Sequence, residues 1–299
     1  MKPNYYNQQH ISVFVSQYGS QAHFVNSSSW TILTPIEQSI KSKIEALGTP
    51  LRNWDININR GILTGYNEAF IIDGNKKDEL LALDPKSAEI IRPILRGRDI
   101  KRYNYNFADL WLINTHNGIK DKNLMPIAID DYPAIKQHLN YYYADLEKRT
   151  DKGITPYNLR NCAYMEDFSK QKIIWKIIGD QMAFSIDSSD LLVNNACYIL
   201  TGDGLKYLLA ILNSRLIKWY SYLTNMNKTG VGDMQIGAQN VLLFPIPRIP
   251  AIEQKPLSDL VERILIMKKN NEDTTILESD VENLTFELFG LTEEEIAFI

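Results

Sequence analysis

Two stretches within one supersecondary unit, Arg60 to Ile100, constrain this chain more than any other feature. The first reads Arg60-Gly61-Ile62-Leu63-Thr64-Gly65-Tyr66-Asn67-Glu68-Ala69-Phe70. Two glycines bracket a Thr, and an Asn follows. Gly adopts positive φ without steric cost and Asn tolerates it better than most residues, so the pattern predicts a tight irregular loop between two strands, Ile56 to Ile58 and Ala69 to Ile72. The second reads Leu95-Arg96-Gly97-Arg98-Asp99-Ile100-Lys101-Arg102-Tyr103. Cations set so close repel one another, which places the segment against solvent or a polyanion. Between them Asp84-Pro85 is expected to open a helix that stops near Pro93 and delivers the basic cluster.

Charge is divided along the chain in a way its total conceals. The net charge is −4 over 299 residues, yet residues 86 to 176 hold 16 Lys/Arg against 11 Asp/Glu, a net of +5. Residues 251 to 299 hold 4 against 12, a net of −8. Phosphate binding depends on local potential, so an acidic total does not exclude nucleic acid. Cys162 and Cys197 have no C-x-x-C spacing, which argues against a disulfide framework or structural zinc and fits a reduced, cytoplasmic setting. No apolar stretch approaches the length of a membrane span and the N-terminus lacks a signal-peptide core, so no membrane partner is expected.

Outside the opening unit, the chain alternates strand and helix signals. Ile11 to Val15 reads as a strand, and residues 1–30 as a strand and linker continuing from an upstream domain. Thr34-Pro35-Ile36-Glu37 is a helix start, with Thr as N-cap, Pro at the first position and Glu placed for a capping box; Ile40 and Ile44 follow at helical spacing until Gly48. Leu110 to Ile113, Ile173 to Ile178, Ala183 to Ile186 and Tyr198 to Leu200 read as strands. Pro133 to Arg149 reads as one helix with a basic end. Leu205 to Leu212 and Leu216 to Leu223 read as apolar helices. Asn225 to Asn240 reads as a long polar connection, and its Lys228-Thr229-Gly230 lacks the order of a phosphate-binding Walker loop. From Pro256 onward two amphipathic helices and a Thr292-Glu293-Glu294-Glu295 helix start form a tail, expected to dock on its own domain.

These residues resemble a known family. Gly61-Ile62, Thr64-Gly65, Asn67 and Ala69-Phe70, followed by Leu95-Arg96-Gly97-Arg98-Asp99-Ile100, are similar to the TaqI-like C-terminal specificity domain. Leu146, Arg149, Asp151-Lys152-Gly153, Leu159-Arg160, Asn213-Ser214 and Leu243-Phe244-Pro245-Ile246-Pro247 match in the same order, from Trp30 to Pro250. Where that family usually carries a Trp, this chain has Thr155-Pro156-Tyr157. The resemblance implies a mixed-sheet α/β (α+β) target recognition domain over residues 31–250, with the helical tail at 251–299. It implies the specificity module of type IIG restriction-modification enzymes and adenine-N6 DNA methyltransferases, with double-stranded DNA as partner. Phosphates would be gripped by Arg96, Arg98, Lys101, Arg149, Lys152 and Arg160, and bases read by Thr64, Asn67 and Tyr157.

Catalytic signatures point elsewhere. The Asn-Pro-Pro-Tyr/Phe motif and the Phe-x-Gly-x-Gly loop of amino-methyltransferases are both absent, and the four histidines are scattered without metal-like spacing. No cofactor is therefore expected in this chain. The resemblance implies that S-adenosylmethionine and Mg²⁺ are held by methyltransferase and endonuclease domains in cis or trans. Two alternatives stay open: a cryptic Mg²⁺-dependent nuclease around Asp84-Pro85-Lys86, Asp99-Ile100-Lys101 or Glu253-Gln254-Lys255, and a protein-interaction scaffold working through the acidic tail.

Overall fold

The computed structural model describes Val13, residues 33–223 and residues 234–299. The strand expected at Ile11 to Val15 lies outside these residues except for Val13, which is helical, and so does most of the Asn225 to Asn240 connection. In chain order the elements are α1 (Pro35–Leu47), β1 (Thr49–Pro50), β2 (Ile56–Arg60), α2 (Asn67–Phe70), β3 (Ile71–Asp73), α3 (Gly74–Leu83), β4 (Ile91–Leu95), β5 (Ile100–Lys101), β6 (Asn104–Tyr105) and β7 (Leu110–Ile113). There follow α4 (Pro133–Asn140), α5 (Tyr143–Lys148), β8 (Lys172–Lys176), β9 (Ile178–Gly179), β10 (Phe184–Asp187), β11 (Leu192–Val193), β12 (Cys197–Gly202), α6 (Leu205–Leu212) and α7 (Arg215–Leu223). The last elements are β13 (Met234–Gln235), α8 (Ala238–Val241), β14 (Pro245–Ile246), α9 (Ala251–Lys269), α10 (Thr275–Leu288) and α11 (Glu293–Phe298). The architecture is the mixed α/β one expected. Among the described residues no helix is long and apolar enough to cross a membrane.

One antiparallel sheet, in the order β10-β8-β12-β2, divides two hydrophobic cores. Side chains alternate across a strand, so a strand covered on both faces reads as a continuous apolar run. In β8, Ile173 and Trp175 enter one core while Ile174 enters the other; in β12, Leu200 and Ile199 divide in the same way. The first core is closed by α1, α6, α7, α9 and α10. The second is built on a mixed sheet, β11-β4-β7-β3, together with α2, α4 and α5. Fully burying an aromatic or branched aliphatic side chain is worth about 1.5–3 kcal/mol. With Leu257, Val261, Val281 and Phe286 at most 4 % exposed in the first core, the tail is part of its fabric rather than an appendage.

Local sequence explains most boundaries. Thr34 Oγ1 accepts from the Glu37 N–H while the Glu37 carboxylate accepts from the Thr34 N–H at 2.7 Å, so the capping box forms as expected. Asn213 donates to the Phe184 carbonyl and accepts from the Phe184 N–H, both at 3.0 Å, and so substitutes for a strand along the β10 edge. Ser214 then receives the Ile217 N–H at 3.2 Å, starting α7.

Three expectations are corrected. Asp84-Pro85 opens only a 3-10 stretch, Pro85–Glu89, and Pro93 lies inside β4. Pro93 pairs with Trp111 of β7, while the parallel partner β11 begins opposite Ile94, so the missing N–H costs the ladder little. The helix expected from Pro133 to Arg149 breaks into α4 and α5, because the Tyr141 and Tyr142 amides reach back three residues, to His138 and Leu139, and tighten the chain. Ala69 and Phe70 close the short helix α2 rather than starting β3. The helix α3, capped by Asp73, was not anticipated.

Candidate nucleic-acid interface

Three loops meet at the end of the second core. Gly65, at φ +70°, turns the glycine loop in the left-handed region that its neighbours would enter only with strain. Thr64 is buried; its hydroxyl donates to Asn67 Oδ1 at 2.7 Å and accepts from the Tyr66 N–H at 3.2 Å. That bracket fixes the exposed Asn67 at the start of α2. Asn67 keeps its Nδ2 donors and one Oδ1 lone pair for an outside partner.

The loop is locked to the segment after α5 by Arg149. Its guanidinium donates to the Thr64 carbonyl, to the Pro156 carbonyl at 2.8 Å and to the Asn158 carbonyl at 3.1 Å, and lies 4.5 Å from the Phe70 ring centre. At 6 % exposed, Arg149 is a brace and not the phosphate contact expected of it. Burial lowers its pKa to about 10, with Asp151 acting in the opposite direction, so it stays charged at neutral pH. Thr64 is likewise corrected from base reader to bracket.

A third strip, residues 115–127, locks onto the same segment. Asn158 donates to the Ile127 carbonyl at 2.9 Å, the Leu159 N–H reaches the Thr115 carbonyl at 2.9 Å, and Asn117 Oδ1 accepts the Ile154 N–H at 2.7 Å. Gly153 is required by close approach, since a Cβ there would stand 2.2 Å from Asn117 Oδ1. Tyr157 is half-buried: its hydroxyl donates to Asn140 Oδ1 at 2.6 Å and its ring sits 5.6 Å from that of Tyr143. Lys152 and Arg160 remain on the outside. Lys152 Nζ donates to the Glu147 carbonyl, and Arg160 pairs with Asp151 at 3.2 Å with 61 % of its side chain exposed.

The remaining cations form a separate patch across the Asn194–Ala196 turn. That turn receives the Arg60 Nε–H at the Asn195 carbonyl, at 2.8 Å, and gives the Asn194 N–H to the Leu95 carbonyl at 2.9 Å. Arg96 forks onto Asp99, with Nη2 to Oδ1 at 2.9 Å and Nε to Oδ2 at 3.0 Å. Burial alone would raise the Asp99 carboxyl, but the Arg96 hydrogen bonds hold it below its ordinary value. Arg98 and Lys101 are exposed and make no ion pair with the described residues. Arg102 turns the other way, bridging Glu278 at 2.9 Å and Glu282 at 3.0 Å on α10.

Sequence reasoning missed the cleft between the two patches, about 290 Å³, lined by Arg60, Leu63, Arg160, Asn161, Tyr164 and Asn195 among others. Asn161 lies beside Arg160 in a segment whose cations and amides suit phosphate and base-edge contacts, but Asn195 gave no local signal, because the cleft joins segments far apart in sequence. The triplets considered for a nuclease do not converge: Asp99 is engaged by Arg96, and Asp84 caps the Lys86 N–H and the Ser87 hydroxyl. Among the described residues no three His, Cys, Asp or Glu side chains are grouped to hold a metal.

A family model for the TaqI-like C-terminal specificity domain matches residues 92–246, more than half of the chain. The chain belongs to that family. Among solved structures, the type IIL restriction-modification enzyme MmeI in complex with DNA superposes with a TM-score of 0.63 at 12 % identity, over 83 % of this chain and 35 % of that one. The type IIG restriction endonuclease BpuSI matches with a TM-score of 0.48 at 15 % identity, over 85 % of this chain and 33 % of that one. This specificity-domain chain thus spans about a third of the solved proteins it matches.

Proposed function

We propose that this chain is the DNA target recognition module of a restriction-modification system, non-catalytic by itself. It directs an adenine methyltransferase, an endonuclease or both, joined in cis or bound in trans. Membership of a specificity-domain family supports the reading. The observation that carries it is the Arg149 brace. A buried guanidinium holds the glycine loop and the 151–161 segment in one arrangement, and that arrangement leaves Asn67, Lys152, Arg160 and Asn161 exposed. A rigid face bearing amides and cations suits both tasks of such a module: phosphate contacts set position and base-edge contacts set sequence.

Asn67 takes the base-reading role, since an amide pairs bidentately with an adenine edge in the major groove. Arg98, Lys101, Lys152 and Arg160 take phosphates. S-adenosylmethionine and Mg²⁺ would be held by the methyltransferase and endonuclease segments, and a target adenine flipped toward them. The test is a series of binding isotherms with duplex DNA across a salt gradient. Each phosphate contact contributes about 0.9 to the slope of log K against log salt, so a slope near −3 to −4 is expected. A slope near zero, or the absence of binding to duplexes, overturns the proposal.

A further inference from the structure

Ile154 stands at the tip of the braced segment with 71 % of its surface exposed, and Leu124 and Met125 on the neighbouring strip are 44 % and 76 % exposed. A branched aliphatic held out in water on a fixed loop stays available to bury its apolar area against a partner. The loop that carries Ile154 is fixed on every side. The Ile154 N–H is held by Asn117, the Gly153 N–H by the Asn158 carbonyl at 3.0 Å, and the Thr155 hydroxyl by Asn158 Oδ1 at 2.6 Å. Arg149 holds the carbonyls of Pro156 and Asn158 from behind.

The surroundings say what such a side chain meets. The two interlocked loops, residues 117–127 and 150–161, carry four cations, Lys120, Lys122, Lys152 and Arg160, against two carboxylates, Asp121 and Asp151. Glu166 joins them from outside through Lys122. Arg160 is paired with Asp151, but the cations still outnumber the carboxylates four to three, and an apolar tip on such loops complements a surface that is apolar locally and anionic around it. In duplex DNA that combination is the C5-methyl of thymine, which projects into the major groove between two phosphate backbones.

We infer that Ile154 is a specificity-determining residue that reads a thymine methyl group. The inference rests on the DNA-recognition reading above. Replacing thymine by uracil removes that methyl and nothing else, so the contact can be tested on the nucleic acid as well as on the protein. The full chain is first used to select its preferred duplex from a randomised pool. Each thymine of that duplex is then replaced in turn by uracil, and affinities are measured for wild type and for Ile154→Ala.

One uracil position should weaken wild-type binding about fourfold, the worth of one buried methyl, and should leave Ile154→Ala unaffected. An exposed position makes Ile154→Ala a safe substitution for folding, which its melting temperature checks. Selective binding in which every uracil acts equally on both proteins overturns the thymine contact and leaves the recognition reading standing. No duplex selectivity at all overturns both. Weakened association of Ile154→Ala with the cognate methyltransferase polypeptide, at unchanged DNA affinity, assigns the tip to a protein interface and overturns the inference.

Discussion

At the scale of single residues, two arginines that look alike in sequence are separated by burial. Arg149 satisfies three backbone carbonyls from inside the fold, and hydrogen bonds to a charged group are worth about 1.5–3 kcal/mol each when removal strands the partner. Arg149→Ala is expected to cost about 3 kcal/mol or more, read as a lower urea midpoint, and to lower DNA affinity only through that loss of order. Arg160→Ala should leave the midpoint within about 0.5 kcal/mol, as for most surface changes, and reduce the salt slope by about 1. A stable Arg149→Ala chain with a reduced slope would return Arg149 to the phosphates. The difference was illegible in sequence because Thr64, which Arg149 clasps, lies 85 positions away. Asn67 was legible as a polar side chain on a loop, but its Thr64 bracket appears only in the fold.

Among elements, two α-helices with a full capping box were legible, whereas the simpler Asp84-Pro85 start yields only a 3-10 stretch. α1 carries Thr34, Pro35 and Glu37 at its start, and α11 repeats the device with Thr292 and Glu295. The local signal misleads where pairing or chain tightening outweighs it: Pro93 reads as a helix stop but sits in β4, and the helix after Pro133 breaks where the Tyr141 and Tyr142 amides reach back to the His138 and Leu139 carbonyls. The α11 start also supplies a pH prediction. Burial would raise Glu295, but Lys43, the Thr292 N–H and Ser39 outweigh it and lower its pKa to about 2 from 4.5. A carboxyl depressed on folding stabilises above its unfolded pKa, and that contribution is lost as pH falls through the folded value. Docking of α11 on α1 should therefore weaken as pH falls from about 4.5 to about 2. Glu295→Gln should be less stable at neutral pH and flatter across that window in acid titration; an unchanged acid profile would show that this contact contributes nothing.

For the whole molecule, the tail decides how the pieces are counted. Composition marked residues 251–299 as an acidic addition, and packing makes them one wall of the first core, with Arg102 bridging from the basic segment to Glu278 and Glu282. Deleting residues 257–299 removes Leu257, Val261, Ile264, Val281, Phe286 and Phe289 from that core. At about 1.5–3 kcal/mol each this approaches the whole stability of a typical domain, so the truncated chain should lose its cooperative melting transition rather than merely shift it. A cooperative transition in calorimetry would show the tail to be separable. The overall class, mixed α/β with a helical end, was legible because strands and helices carry distinct periods. The division into two cores across one sheet was not, since β8 and β12 read as uniform apolar runs whichever way their residues face.

Reading of DNA sequence by the face braced by Arg149 is what we propose, and selection from a randomised duplex pool is its sharpest test. Wild-type chain should enrich a defined sequence. Asn67→Ala should enrich the same sequence with one position relaxed, by a discrimination of roughly 1–3 kcal/mol, beside the small drop in melting temperature that follows from leaving the buried Thr64 hydroxyl without its acceptor. Identical enriched sequences from both proteins would contradict the proposal.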